Sequence, residues 1–267
     1  MAERIGFLGP GLMGRGIVKN LLAKGFKLTV YAHRDGLALD DLTRAGASVA
    51  KSLAEVGGKN PTVMLCLPSS KEVEASVLGP AGLLQSMKPG SVIIDFSTSL
   101  PASTRMLCDR LQERKVSLLD APMTGSAPQA NAGELNLMIG GERPVYERCL
   151  PMFRAIAKNI IYVGPSSHGN IVKLINNFLA QINNAAVAEV LPLAVKAGVD
   201  LKALYDVVRV SGGNSRVFES WVPGICRRDF TVTFHLKLAH KDMVYMSAVA
   251  REHNVPLPML NSLLTVL

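Results

Sequence analysis

The stretch Arg4-Ile5-Gly6-Phe7-Leu8-Gly9-Pro10-Gly11-Leu12-Met13-Gly14 decides the fold of this chain. A short apolar run ends in glycines spaced G-x-G-x-x-G. Helical periodicity begins at once, from Leu12 to Lys24, and a second apolar run follows from Lys27 to Ala32. Strand, turn and helix in that order within about 30 residues make a βαβ unit. Each glycine has a physical reason: a tight turn, close backbone approach to a pyrophosphate, and packing of helix against strand. The helix N-terminus adds N–H donors and the positive end of its dipole. A glycine turn alone is weak, but in this setting it predicts dinucleotide binding through Gly9, Gly11, Leu12, Met13 and Gly14.

Working outward, the alternation continues with strand-like runs at Thr62 to Leu67, Ser91 to Phe96, Ser117 to Ala121, Leu135 to Ile139 and Ile160 to Val163. Helical stretches such as Ser70 to Val77 and Ala102 to Arg114 separate them. Short apolar strands alternating with helices predict an α/β, Rossmann-type doubly wound domain, mostly parallel and covered on both faces. After Val163 the character changes. Gly169 to Ala197 reads as one helix, roughly 40 Å long at 1.5 Å per residue, with a kink expected at Pro192. The segments Leu201 to Arg209, Ser215 to Trp221, Leu236 to Glu252 and Leu257 onward carry helical periodicity only. The expected domains are therefore 1–163, dinucleotide-binding, and 164–267, all-α and led by the long interdomain helix. Tyr205, Trp221, Met243, Met246 and Met259 are expected to pack the second domain. Its last apolar segment, Leu263 to Leu267, lacks a glycine cap or basic last turn and reads as a helix cut short.

Composition excludes other classes. The 267 residues are 48% hydrophobic with mean hydropathy +0.24, which suits a well-cored globular chain. No uninterrupted apolar run reaches the roughly 18 residues of a membrane span, and the N-terminus lacks signal-peptide architecture, so a cytoplasmic protein is expected. The four cysteines show no short pairing and read as reduced thiols. The net charge of +8 is spread without basic blocks or aromatic interleaving, which argues against nucleic acid. A positive field also draws in anionic substrates and a phosphorylated cofactor. The histidines form no pair at metal-ligand spacing, and no metal is expected.

The choice of dinucleotide depends on the end of the second strand, where an acid would bind the ribose 2′-hydroxyl of NAD. Here the residues are Tyr31-Ala32-His33-Arg34-Asp35. Position 33 carries no acid, and Arg34 can pair with a 2′-phosphate or stack on adenine, so NADP is preferred over NAD. Asp35 leaves NAD open.

A lysine stands near the start of the long helix. In Gly164-Pro165-Ser166-Ser167-His168-Gly169-Asn170-Ile171-Val172-Lys173, with Asn177 four residues on, i and i+4 spacing puts a proton donor and an amide on one face. With the glycine turn, Asp120-Ala121-Pro122-Met123-Thr124-Gly125-Ser126 and Lys241-Asp242, this makes four ordered motifs. In them the sequence resembles the β-hydroxyacid dehydrogenases, which include 3-hydroxyisobutyrate dehydrogenase, tartronate semialdehyde reductase and glyoxylate/succinic semialdehyde reductases. The wider likeness is to 6-phosphogluconate dehydrogenase. The resemblance implies that Lys173 protonates the substrate carbonyl oxygen as hydride arrives and takes the proton back in the oxidative direction. An ordinary lysine is protonated at neutral pH and ready as an acid. Acting as a base requires burial or a nearby cation, for which Lys241 is the candidate.

The resemblance further implies that Asn177 holds the substrate or Lys173, and that Thr124, Gly125 and Ser126 hold the substrate carboxylate. Leu67 and Pro68, Thr98 and Lys241 would line the cofactor. Here Thr replaces the family's commoner Ser at 124 and Ser replaces its second Gly at 126, which alters the pocket. Phe234 is a candidate pocket wall. Relatives of this kind assemble as homodimers or homotetramers. Two rival readings are an imine reductase, which usually lacks the lysine at the helix start, and a non-catalytic NADP-binding scaffold of the same fold.

Overall fold

The computed structural model describes residues 3–32, 38–231 and 234–267. The chain divides into two compact units, Met1–Lys173 and Leu174–Leu267. The first opens with β1 (Arg4–Leu8), α1 (Leu12–Ala23) and β2 (Lys27–Tyr31). It continues through α2 (Asp40–Arg44), β3 (Ser48–Val49), α3 (Leu53–Lys59), β4 (Thr62–Leu65) and α4 (Ser70–Leu78). Then come β5 (Val92–Asp95), α5 (Pro101–Gln112), β6 (Ser117–Asp120), β7 (Met123–Thr124), α6 (Ala127–Ala132), β8 (Leu135–Gly140), α7 (Arg143–Ile156) and β9 (Ala157–Gly164).

The strands form one sheet in the order β3-β2-β1-β4-β5-β6-β8-β7, with β9 beside β8. The first six run parallel, and their order reverses direction between β1 and β4, the place where a doubly wound sheet opens a crevice at its carboxyl ends. Beyond β6 the sheet turns mixed: β8 runs antiparallel to β6 and β7 and parallel to β9. Central strands β4 and β5 are buried along their whole length, as strands covered on both faces must be. Period-two alternation sends Val63, Leu65 and Ile93 to one core with Leu107 and Leu111. Met64 and Ile94 face the other, with Ile17, Leu21 and Phe153.

Helix α8 (His168–Lys196) starts in the first unit and passes into the second, running on through Pro192. The compact units part within this helix because Asp120, Ser99 and Thr104 bind its first turn (below). The second unit adds α9 (Leu201–Val208), α10 (Arg216–Cys226), α11 (Leu236–Glu252) and α12 (Pro258–Val266), and is all helix among the described residues. Leu174, Met243, Met246, Leu260 and Leu263 form one small core. Val187, Leu191, Phe218 and Val222 form another, where Tyr205 stacks on Phe218 at 5.9 Å between centroids. Trp221 and Met259 depart from expectation, being 44% and 58% exposed.

No apolar run of membrane-span length interrupts the sequence, yet one helix is apolar on average. An 18-residue window of α8 has a mean hydropathy of 1.4, which by length and composition alone suffices to cross a bilayer. Asn183, Asn184 and Glu189 break the apolar run, but the leucines, valines and alanines around them keep the average high. Its buried polar residues Asn170 and Asn177 are hydrogen-bonded inside the protein.

Candidate active site

The glycine turn sits at the reversal between β1 and β4. Gly9 has φ +81°, and a Cβ there would collide with the Cys66 carbonyl and approach Leu67 Cδ2 at 3.1 Å. The turn and the Leu67-Pro68 step are thereby brought together. A Cβ on Gly14 would strike the Gly9 carbonyl and lie 2.8 Å from Phe7 Cε1, so this glycine lets α1 sit on β1. Gly11 differs: a Cβ there would meet nothing within 4 Å. It lies at the N-cap of α1, whose first turn carries no acid and no side-chain cap. Open space beside helix N–H groups fits a pyrophosphate. Leu12 is exposed here, and Met13 packs on the core.

His33 and Arg34 lie outside the described residues. Among the described residues, the Asp41 side chain binds Arg15 and lies 2.7 Å from Lys19 Nζ, while Arg15 also donates to the Ala38 carbonyl at 2.8 Å. The Lys19 hydrogen bond and the Arg15 charge hold the Asp41 carboxyl below its ordinary range. This clamp fixes Ala38 and the start of α2 onto α1, and no motif announced it.

Two buried acids occupy the carboxyl ends of β5 and β6, where Asp95 and Asp120 are register partners. Asp95 accepts from the Ser97 N–H at 2.9 Å and the Ser99 hydroxyl at 3.1 Å. Ser97 Oγ in turn accepts from the Leu67 N–H at 2.9 Å. Thr98 is thus held from both sides. Burial pushes the Asp95 carboxyl up to about 6, with the neighbouring Asp120 charge adding to the rise.

Asp120, with no exposed surface, accepts from the backbone N–H of Ser167 at 2.8 Å and of Asn170 at 2.9 Å. Burial raises its carboxyl, and these backbone donors, with that of Gly169, oppose the rise. Gly169 and Gly140 are both required here, since a Cβ on either would press on the Asp120 carboxylate. Asn170 completes the connection: Oδ1 accepts from the Ser99 N–H at 2.8 Å, and Nδ2 donates to Thr104 Oγ1 at 3.2 Å. A continuous buried network therefore runs from Leu67 through Asp95 and Ser99 to the turn that launches α8, one turn before Lys173.

The loop after β7 contains Gly125 at φ +126°. Thr124 Oγ1 accepts from Asn136 Nδ2 at 3.1 Å, and Asn136 Oδ1 accepts from Asn159 Nδ2 at 2.7 Å. The Ser126 N–H and hydroxyl both donate to Gln129 Oε1, at 2.6 and 2.9 Å. Among these donors, those of Ser126 are already engaged within the loop.

In the second unit Asn177 donates to Asp242 Oδ2 at 2.6 Å. Lys241 Nζ forms an ion pair with Asp242 Oδ1 at 3.1 Å and lies 5.0 Å from the centre of the Tyr245 ring. The Lys241 charge is therefore matched by a carboxylate 2% exposed. Phe234 walls a cavity of about 330 Å³ together with Gln181, Asn184, Trp221 and Leu236.

Comparison with known proteins decides the relationship. The family model described as the NAD binding domain of 6-phosphogluconate dehydrogenase matches residues 4–164. The model described as the NAD-binding domain of NADP-dependent 3-hydroxyisobutyrate dehydrogenase matches 167–267. The chain is 34% identical over 265 residues to 2-(hydroxymethyl)glutarate dehydrogenase of Eubacterium barkeri, covering 96% of this chain and 85% of that protein. The chain belongs to the β-hydroxyacid dehydrogenase family.

Two more members fit. The NAD-dependent L-serine dehydrogenase of Pseudomonas aeruginosa is 33% identical, over 96% of this chain and 88% of its own. The structure of Mycobacterium tuberculosis 3-hydroxyisobutyrate dehydrogenase with L-serine superposes with a TM-score of 0.89 at 25% identity, over 100% of this chain and 92% of that one. As a β-hydroxyacid dehydrogenase, the protein is an NAD(P)-dependent oxidoreductase. Sequence reasoning missed Asp95, Asn170, Asn136, Asn159 and the structural role of Asp120 in this dehydrogenase. Asp95 had a readable signal, an acid ending the otherwise apolar strand Val92–Asp95, and Asp120 a weaker one after Leu118-Leu119; Asn170 had none.

Proposed function

We propose that this β-hydroxyacid dehydrogenase reduces a small carboxylate-bearing aldehyde, a semialdehyde or glyoxylate, and in the opposite direction oxidises a small 3-hydroxyacid, with NADP preferred over NAD. The glycine turn, Leu67, Pro68, Thr98 and Lys241 would hold the cofactor, with His33 and Arg34 at its adenosine end. When bound, the nicotinamide supplies or accepts the hydride. Lys173 donates the proton to the carbonyl oxygen and recovers it in reverse. Thr124 and the Gly125 backbone anchor the carboxylate, and Asn177, whose amide donates to Asp242, is assigned to holding the substrate or Lys173 by hydrogen bonds.

The observation that carries this reading is the buried network that fixes the first turn of α8, and so the backbone from which Lys173 projects, to the loop carrying Thr98. A general acid is effective only when its proton is held within reach of the reacting atom. Exposed Leu179, Leu193 and Val195 on α8 support assembly with further copies of the chain. The test is a turnover screen with NADPH and NADH in parallel. Glyoxylate, succinic semialdehyde, methylmalonate semialdehyde and tartronate semialdehyde are offered for reduction, L-serine for oxidation, and a cyclic imine as the competing class. Turnover of a carboxylate-bearing compound, faster with the phosphorylated cofactor, is expected; turnover of the imine alone would reject the proposal.

A further inference from the structure

The cross-strand register of β7, β8 and β9 places Thr124 opposite Asn136 and Asn136 opposite Asn159. Register partners put their side chains on one face at contact distance, and here all three are polar in strands, where asparagine is otherwise uncommon. The β8–β9 register shifts between Leu135 and Asn136, an irregularity of the kind that re-aims a side chain. The direction of the hydrogen bonds matters most. Asn159 donates to the Asn136 carbonyl, which leaves the Asn136 amide NH₂ facing Thr124, and that NH₂ donates to Thr124 Oγ1. A hydroxyl has one proton and two lone pairs. With a lone pair engaged by Asn136, the Thr124 proton is left to be given elsewhere.

We propose that Asn136, set by Asn159, is a positioning residue that turns the Thr124 hydroxyl into an obligate donor and so selects an anionic group at this loop. The inference rests on the carboxylate-anchoring role given to Thr124 above. With both Ser126 donors engaged by Gln129, the Thr124 hydroxyl has a larger share of anion recognition than in a Ser-Gly-Gly loop. Replacing Asn136 by Asp makes the partner an acceptor, which draws the Thr124 proton toward β8 and presents lone pairs to the carboxylate. Asn159→Asp acts one step further off: a carboxylate at 159 requires Asn136 to turn its NH₂ outward, and the reversal passes to Thr124.

The experiment measures KM and kcat for the fastest of glyoxylate, succinic semialdehyde and L-serine in wild type, Thr124→Val, Asn136→Asp, Asn159→Asp and the double variants. Thr124→Val is expected to raise KM roughly tenfold or more, as for loss of a hydrogen bond to a charged group. Asn136→Asp and Asn159→Asp should raise KM by a similar factor with kcat little changed, and should add nothing in the Thr124→Val background. Asn159 is exposed at the sheet edge, so its variant keeps the test intact if Asn136→Asp folds poorly. A full additional rise in the double variants means that the new charge acts directly, and overturns the relay. An unchanged KM in Asn159→Asp and Asn136→Asp overturns it too. If Thr124→Val itself leaves KM unaltered, the carboxylate-anchoring reading falls as well.

Discussion

Replacing Asp120 by Ala removes the acceptor that launches α8. Two backbone N–H groups, of Ser167 and Asn170, lose partners at 2.8 and 2.9 Å in a region without solvent. A buried donor left unsatisfied costs about 1–3 kcal/mol, so the two together amount to about 2–6 kcal/mol. Against this stands the cost of burying the carboxylate itself, visible in its raised pKa, which Ala abolishes. A net loss of about 2–4 kcal/mol is therefore expected. Urea unfolding would read the loss, and hydrogen exchange at Ser167 and Asn170 would locate it, with protection falling at the first turn of α8 before it falls in β4 or β5. Turnover should drop because Lys173 is no longer held in place, while NADPH affinity, set largely by the glycine turn, changes little. Stability within about 0.5 kcal/mol of wild type, together with unaltered exchange at these two amides, would refute the idea that Asp120 anchors the helix.

The two glycines of the turn should separate binding from folding. Gly11→Ala places its Cβ in open space, so Tm should hold while fluorescence titration shows weaker NADPH binding. Gly14→Ala strikes Gly9 and Phe7 and should cost about 1–3 kcal/mol in urea unfolding. Asp95 predicts a pH dependence. Its folded pKa of about 6 lies above the ordinary 3.8, so its contribution is fully present below about pH 4 and is lost as pH rises through 6, a change of about 3 kcal/mol. Asp95→Asn should flatten that part of the stability-pH profile measured by urea unfolding, and an identical slope in both proteins would contradict the assignment.

Legibility in the sequence followed the range of the physics. The glycine spacing could be read because turn, close approach and helix packing all fall within one βαβ unit: Gly9 and Gly14 sit where a Cβ would collide, while Gly11 leaves the space beside the helix N-terminus open. The strands of β4 and β5 could be read because both faces are buried. Strands β3 and β7, two residues each, are too short to show any period. The mixed sheet beyond β6 follows from β7–β8 pairing across a loop whose composition gives no direction. Asp120 binds residues 47 and 50 positions away, and Asn177 reaches Asp242 across 65. Contacts at that separation exist only once the chain has folded. Trp221 and Met259 were misjudged because hydrophobicity predicts the wish to be buried, and the exposed side of a helix can still carry it.

The proton chemistry assigned to Lys173 is most directly tested by comparing Lys173→Ala with wild type, using NADPH and the carbonyl substrate that gives the highest turnover. The account predicts a fall in kcat of about 10²- to 10⁴-fold, as for loss of a general acid, with NADPH affinity and Tm close to wild type. Turnover within a few-fold of wild type would contradict it.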